Sequence, residues 1–305
     1  MADTLGDLTN VDMKVYPTNE CKSNCHFCMT DLRWKNTEAP TEKYLSNFKK
    51  AFEDYFNAGG RKVLFTGGEP TNRPDKLIGM LKLISNYPLD LVVIYTSGVN
   101  LLTPYTHNSQ EVTLLQALSG EGLKDYNLSV HHYELHKRQE LTSQKVCDLE
   151  SIVEEAKELD LNIRLNCTLM KDYIGNAQEV MKYVDYARSL GVQDIYFRDL
   201  FHLANRDRSC AHANKAKLAF TDSQRVDFDT LVSEIKLIPN MQFNETLNRH
   251  RENGRTYIFD HLGTRISFGT LVVGTEKEDE ITYMNFQPDG CAYRDMNGPE
   301  SKLDL

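Results

Sequence analysis

The chain has 305 residues, of which 40% are hydrophobic and 26% are charged, and its formal net charge is −9. This length suits one large α/β domain or two small ones, and the acidic balance gives no global field that would attract nucleic acid. No apolar run approaches the length of a membrane span. Seven cysteines, an odd number, and no secretory segment at the N-terminus favour a reducing, cytoplasmic location over a disulfide framework.

Residues 1–10 are polar and are expected to be loose. From there to about residue 200, β-rich runs alternate with helical patterns. The six runs predicted as strands are Val11–Tyr16, Lys62–Thr66, Leu91–Thr96, Tyr126–Val130, Asn162–Leu169 and Asp194–Arg198. Repeated strand–helix units predict a parallel sheet with outer helices. Six units over residues 11–200 predict a partial, TIM-like (β/α)6 barrel and are too few for the closed eight-stranded form.

Patterns typical of helices lie between the predicted strands, and the regular alternation of strand and helix ends at about residue 200. The first helix is expected to have Thr41 as its N-cap and to stop at Gly59 and Gly60. Further on, one helix is predicted over Ser223–Leu237, followed by several β-like runs. Residues 201–305 are therefore expected to form an α+β extension that caps the barrel and helps to form the substrate site.

Cys21, Cys25 and Cys28 form a C-x3-C-x2-C run just past the first predicted strand. Ligands of a parallel sheet bind at the carboxyl ends of its strands, so a site is expected here. Three closely spaced thiolates can hold three irons of a cubane iron–sulfur cluster, which leaves the fourth iron open to chemistry. The cysteines alone leave a second interpretation open, because together with His26 they could bind zinc.

A second motif ends the second predicted strand. Gly67 and Gly68 allow the backbone to approach a ligand closely, and Glu69 and Pro70 add a carboxylate and a fixed turn. Such a motif is weak evidence on its own. Its position at a strand end, after a cysteine run that also follows a strand end, makes the two motifs together strong evidence for one site.

With both motifs in this order, residues 11–200 resemble the radical S-adenosylmethionine (radical SAM) superfamily. The resemblance implies that the three cysteines hold one [4Fe-4S] cluster, that Phe27 is the usual aromatic residue of the motif, and that Gly67–Pro70 receive the amino group of S-adenosylmethionine. It also implies reductive cleavage of this cofactor to a 5′-deoxyadenosyl radical, which takes a hydrogen atom from a substrate. The electron would come from a donor such as flavodoxin or ferredoxin.

Softer candidates lie on the inner faces or at the ends of later strands, whose side chains alternate in and out. The resemblance places Thr96, Ser97, Ser129 and Asn166 near the cofactor, and strand alternation puts Arg198 near the barrel mouth, where it could contact cofactor or substrate. Each of them could instead fill a polar lumen with satisfied hydrogen bonds. His131 is a candidate catalytic residue by its inward position, and Cys210 is another, although a spare cysteine is usually inert.

Three segments, residues 166–171, 257–266 and 286–290, resemble the molybdenum-cofactor GTP cyclase branch. That branch carries a second cluster on three further cysteines, whereas this chain has only Cys210 and Cys291 in its C-terminal part. We therefore expect no second cluster, and protein side chains would have to anchor the substrate. Arg206, Arg208 and Arg251 are the candidates, in basic stretches whose alternative interpretation is solvated loop.

Together these features predict a radical SAM enzyme that abstracts hydrogen from an anionic small molecule, such as a nucleotide or a phosphosugar. Two alternatives stay open. The substrate could be a peptide or protein side chain, or the protein could be a redox sensor that carries a cluster without catalysis. No nucleic-acid or membrane partner is expected.

Overall fold

A computed structural model describes residues 5–28, 36–143, 146–200, 202–203, 215–249, 254–270, 272–273, 281, 283–295 and 298–305. The helices are α1 Thr41–Asn57, α2 Pro74–Ile84, α3 Leu114–Gly120, α4 Leu135–Thr142, α5 Leu149–Glu158, α6 Ala177–Ser189, α7 Lys215–Ser223 and α8 Phe228–Ile235. The strands up to residue 203 are β1 Asp12–Val15, β2 Lys62–Phe65, β3 Leu91–Thr96, β4 Pro104–His107, β5 Gln110–Thr113, β6 Asp125–Ser129, β7 Asn162–Thr168, β8 Asp194–Arg198 and β9 His202–Leu203. The later strands are β10 Met241–Arg249, β11 Gly254–His261, β12 Thr264–Gly269, β13 Val272–Val273, β14 Tyr283–Phe286 and β15 Ala292–Tyr293.

The six strands predicted from the sequence lie side by side at the centre of one sheet. Strands β1, β2, β3, β6, β7 and β8 follow each other in chain order, and every neighbouring pair is parallel. Helices separate them along the chain. The prediction of an α/β fold with a partial, TIM-like barrel is confirmed.

The core lies between the sheet and its outer helices, as the apolar stripe of α1 illustrates. Phe48 and Phe52 are at most 1% exposed, and so is Tyr44. The rings of Tyr44 and Phe48 lie 5.0 and 5.5 Å from that of Phe286, which belongs to β14. Burying a side chain of this size contributes roughly 1.5–3 kcal/mol, so this stripe fixes α1 on the sheet.

The C-terminal part of the chain lengthens the sheet at both edges. Strand β12 pairs in parallel with β8, and β11 and β10 continue this edge as an antiparallel ribbon. Strand β14 pairs in parallel with β1 at the opposite edge, and β15 follows it. The expectation that residues 201–305 cap the barrel stays a prediction.

Two local predictions were wrong. The helix expected over Ser223–Leu237 covers only Phe228–Ile235, as α8, because Ser223 is the last residue of the preceding helix α7. Between them the side chain of Gln224 donates to a carboxylate oxygen of Asp172 at 2.6 Å, and Asp227 begins α8 by accepting from a backbone N–H. Thr41 is the first residue of α1 rather than its N-cap, because its hydroxyl donates to Asp75 at 2.7 Å. Tertiary hydrogen bonds override the local signals in both places.

None of the helices in the described part of the chain is both long and apolar enough to cross a membrane.

Candidate active site

The cysteine loop, defined here as residues 17–28, leaves the carboxyl end of β1. The N–H of Cys28 donates to the carbonyl of Cys25 at 3.1 Å, which closes a turn around His26 and Phe27. The N–H of Asn24 donates to the carbonyl of Thr142 at 2.9 Å, so the loop is also fixed to the end of α4. The three cysteines thus lie where the parallel sheet is expected to bind ligands.

Cys25 and Cys21 are harder to ionise than ordinary thiols, chiefly because they are buried. Burial, followed by the neighbouring charges of Cys28 and Cys21, raises the pKa of Cys25 to about 12. Burial also raises the pKa of Cys21. Iron binds the thiolate form, and cationic irons between the thiolates would relieve their repulsion. No three His, Cys, Asp or Glu side chains of the described residues are placed to share a single metal ion, whereas the thiolates of a cubane each bind a different iron.

Phe27 anchors the loop in a small apolar cluster. It is 9% exposed and packs with Leu141, Met170 and Leu200, which come from three different parts of the barrel. Its ring meets the His131 ring edge-on at 4.7 Å. The aromatic position of the motif therefore joins the cysteine loop to the end of β6.

The two glycines of the second motif bring it against the cysteine loop. Gly67 has φ +135, in the region that favours glycine, and a Cβ on Gly68 would lie 2.3 Å from the carbonyl oxygen of Glu20. The N–H of Gly68 donates to the carbonyl of Thr18 at 3.0 Å. The sequence predicted a close approach to a ligand. The approach in this structure is to the loop that carries the cysteines.

Glu69 connects the ends of β2 and β3. It is 3% exposed, and one carboxylate oxygen accepts from the Thr71 and Thr96 hydroxyls at 2.6 Å each. The other oxygen accepts from the N–H and the hydroxyl of Ser97 at 2.8 and 2.6 Å. A carboxylate has about four lone-pair sites, so these donors occupy it. Glu69 positions Thr96 and Ser97, and the buried Pro70 begins the short turn that follows it.

The strand register aligns inward-facing polar residues in a row. Ser129 on β6 lies opposite Asn166 on β7, which lies opposite Tyr196 on β8, and Tyr196 lies opposite Ser267 on β12. Cys167 takes the other face, where it is fully buried in the core. The side-chain Nδ2 of Asn166 is buried and has no hydrogen-bond partner in the described part of the chain. This row therefore offers a donor that a ligand could satisfy.

A cleft separates the cysteine loop from the strand ends. Its lining includes Ser23, Ser97, Ser129, His131, Arg138 and Cys147. Arg138, on α4, is only 7% exposed, and one of its nitrogens contacts the Tyr186 hydroxyl at 3.4 Å. Its other two nitrogens, Nε and Nη1, are buried without a partner among the described residues. A guanidinium in this state suits a carboxylate ligand.

Sequence reasoning missed Arg138. The available signal was its spacing of three from Leu141, which places an arginine on the buried side of a short helix.

His131 is neutral near pH 7. Burial, followed by the charge of Arg198, lowers the pKa of His131 to about 4. Its Nδ1 accepts from the N–H of Thr168 at 3.2 Å, so Nε2 carries the proton of the neutral ring. Arg198 ends β8, next to Thr168 in the ladder, and its guanidinium lies 5.9 Å from the Tyr196 ring centre.

Four of the predicted candidates, Arg206, Arg208, Cys210 and Arg251, lie outside the described residues. The structure brings the remaining candidates together at the carboxyl ends of the central strands.

A parallel partial barrel with both motifs at its carboxyl end is the arrangement of a radical SAM enzyme. Residues 15–184, more than half of the chain, match the Radical SAM superfamily, and the chain belongs to that superfamily. Its members bind a [4Fe-4S] cluster and S-adenosylmethionine, and this protein is a radical SAM enzyme.

Among curated proteins, the chain is similar to enzymes named GTP 3′,8-cyclase. It is 29% identical to that of Aliarcobacter butzleri over 203 residues, which are 62% of this chain and 56% of the relative. It is 30% identical to the probable GTP 3′,8-cyclase of Thermococcus kodakarensis over 185 residues, 59% of this chain and 54% of the relative. The chain spans about half the length of the curated relatives that it matches.

Solved structures show the same fold. Streptococcus suis SuiB superposes with a TM-score of 0.54 at 13% identity, over 94% of this chain and 60% of that one. SuiB bound to its precursor peptide SuiA gives a TM-score of 0.53 at 15% identity, over 74% of this chain and 45% of that one.

The residues present fit both cofactors of the superfamily. Burial and the neighbouring cysteines keep Cys25 protonated, and a cationic cluster would favour its thiolate. Arg138 and Asn166 have buried donors without partners in the described part of the chain, as acceptor groups of S-adenosylmethionine require.

Proposed function

We propose that this protein uses its radical chemistry on an anionic small molecule, a nucleotide or a phosphosugar. The relatives named GTP 3′,8-cyclase support a nucleotide by their name. The arginines expected from the sequence, Arg206, Arg208 and Arg251, remain part of this proposal.

Within this proposal, Cys21, Cys25 and Cys28 would hold the cluster. When bound, the cluster supplies an electron that cleaves S-adenosylmethionine to methionine and a 5′-deoxyadenosyl radical able to take a hydrogen atom from a substrate. A small electron-transfer protein such as flavodoxin or ferredoxin would deliver that electron.

The chain's own residues would bind and orient S-adenosylmethionine. Arg138 would face the carboxylate of S-adenosylmethionine, because it lines the cleft and has two buried nitrogens without a partner in the described part of the chain. Ser129 and Asn166 would contact its ribose or adenine from neighbouring strands. The apolar cluster around Phe27 excludes water from one wall of this space.

One observation supports an anionic substrate. Arg198 ends β8 and makes no ion pair within the described part of the chain, and its charge adds to burial in lowering the pKa of His131. A phosphate or carboxylate at Arg198 would be stabilised by the charge of that arginine.

Ligand binding tests this choice. We expect GTP or a phosphosugar to bind the reconstituted protein, and Arg198→Met to weaken that binding at least tenfold, the loss of about one charge-assisted hydrogen bond. Arg188→Met, an exposed arginine of α6, is the control. Equal binding by wild type and Arg198→Met, or 5′-deoxyadenosine formation stimulated by peptides and by no phosphorylated compound, would contradict the proposal.

A further inference from the structure

The segment between β1 and the first cysteine is held by buried charge. Lys76 on α2 is fully buried, and its Nζ donates to the carbonyl of Pro17 at 2.8 Å. The same ammonium lies 4.3 Å from the centre of the Tyr44 ring, and the Tyr44 hydroxyl donates to the carbonyl of Tyr16 at 3.0 Å. These contacts fix the chain where it turns out of the sheet towards the cysteines.

Glu38, which follows the three cysteines in the chain, is hydrogen-bonded to the residues that precede them. One of its carboxylate oxygens accepts from the Thr18 hydroxyl and from the N–H of Asn19, the latter at 3.0 Å. The Asn19 side chain also donates to the carbonyl of Asn36 at 3.2 Å. Residues 18–19 precede the three cysteines and residues 36–38 follow them, so these bonds join the chain before the cysteines to the chain after them.

Two cations hold Glu38 in place. Its second carboxylate oxygen lies 3.1 Å from Arg73 and 3.6 Å from the Nζ of Lys76. Arg73 is in turn fixed by Asp75 at 2.9 Å. The carboxylate therefore cannot rotate away without leaving a buried ammonium uncompensated, which is a costly state.

We propose that Glu38, held by Arg73 and Lys76, is a positioning residue that closes the cysteine loop and sets its three thiols for one cluster. Bringing the ends of a long flexible loop together costs entropy. A closure made in advance removes that cost from cluster binding. Gly68 and Glu69 hold the same segment from the opposite side, through the carbonyls of Thr18 and Glu20. Groups that orient ligands from outside the coordination shell commonly change metal affinity tenfold to a hundredfold.

This inference rests on the proposed assignment of the cysteines as cluster ligands. It is tested by the rate at which a chelator removes iron from the anaerobically reconstituted, full-length protein. We expect Glu38→Gln to lose iron about tenfold faster than wild type. We also expect a broader electron paramagnetic resonance signal of the reduced cluster with S-adenosylmethionine, since the thiols are held less uniformly. Glu42→Gln, which removes the same charge from an exposed position four residues away, should behave as wild type.

Thr18→Val keeps the inference testable if Glu38→Gln does not fold. It removes one hydroxyl at a fully buried position and leaves every charge in place, and faster iron loss is expected again. If folded Glu38→Gln and Thr18→Val lose iron at the wild-type rate with wild-type spectra, while the cysteine variants bind no cluster, the role of Glu38 is overturned and the ligand assignment stands. Cluster retention by Cys25→Ala would overturn the ligand assignment and this inference with it.

Discussion

Side chains alternate between the two faces of a strand, and this alternation predicts which residues face the site. The sequence placed Ser129 and Asn166 on inner faces and Cys167 outside, and the ladder register agrees. Alternation has a period of two that a sequence shows directly. It says nothing about partners, and so it could not reveal that Glu69 is occupied by Ser97 and Thr96 or that two nitrogens of Arg138 have no partner among the described residues.

Asn166 offers a prediction about cofactor affinity. Its Nδ2 is buried without a partner in the described residues, so a ligand that accepts its hydrogen bond should contribute about 0.5–1.5 kcal/mol. We expect Asn166→Ala to raise the Kd for S-adenosylmethionine twofold to tenfold, measured by equilibrium dialysis. Asn162→Ala, at the exposed amino end of the same strand, should leave Kd unchanged. A wild-type Kd for Asn166→Ala would remove this residue from the cofactor site.

His131 predicts a pH dependence of stability. Its pKa falls from 6.5 to about 4 on folding, so the folded state favours the neutral ring. The contribution of His131 to the free energy of unfolding is complete above pH 6.5. It is lost as the pH falls from there towards 4, by at most about 3 kcal/mol. Urea unfolding of the apoprotein from pH 8 to pH 4.5 should therefore show a steeper loss in wild type than in His131→Gln. Parallel curves would show that His131 titrates normally.

At the scale of elements, local sequence signals predict the central strands correctly. They miss helix boundaries that depend on hydrogen bonds between residues far apart in the sequence. The break between α7 and α8 follows from the bond of Gln224 to Asp172, and the first turn of α1 follows from Thr41 and Asp75. These pairs are far apart in the sequence, so no window of residues contains both members.

Strands β8 and β12 predict a coupled pair of substitutions. A Cβ on Gly269 would lie 1.8 Å from the Tyr196 hydroxyl, so Gly269 is needed to seat that side chain. We expect Gly269→Ala to destabilise the apoprotein by about 1–3 kcal/mol, as overpacking does. In a Tyr196→Ala background the same change should cost much less. Denaturant unfolding of both single variants and the double variant measures the coupling, and additive effects would refute the contact.

At the scale of the whole molecule, the C-terminal part completes the sheet. Phe286 of β14 and Phe268 of β12 are fully buried at opposite edges. The sequence showed β-like runs here but not their partners, because pairing of β14 with β1 joins the two ends of the chain.

A fragment of residues 11–200 should therefore be unstable. It loses both edge strands with several large buried side chains, each contributing roughly 1.5–3 kcal/mol, against a total stability of about 5–15 kcal/mol. Circular dichroism on heating should show no cooperative transition for the fragment and a cooperative one for the full chain. A fragment that melts like the full chain would show an independent barrel.

The radical chemistry of this protein depends most on Cys21, Cys25 and Cys28. Each should be replaced by Ala in turn, with Cys291→Ala as the control, and each protein should be reconstituted anaerobically, reduced and mixed with S-adenosylmethionine. The measurement is the 5′-deoxyadenosine formed per protein, alongside the cluster absorbance. We predict no cluster and no product from the three variants, and wild-type amounts from Cys291→Ala. Product formation by any of the three variants would contradict the account.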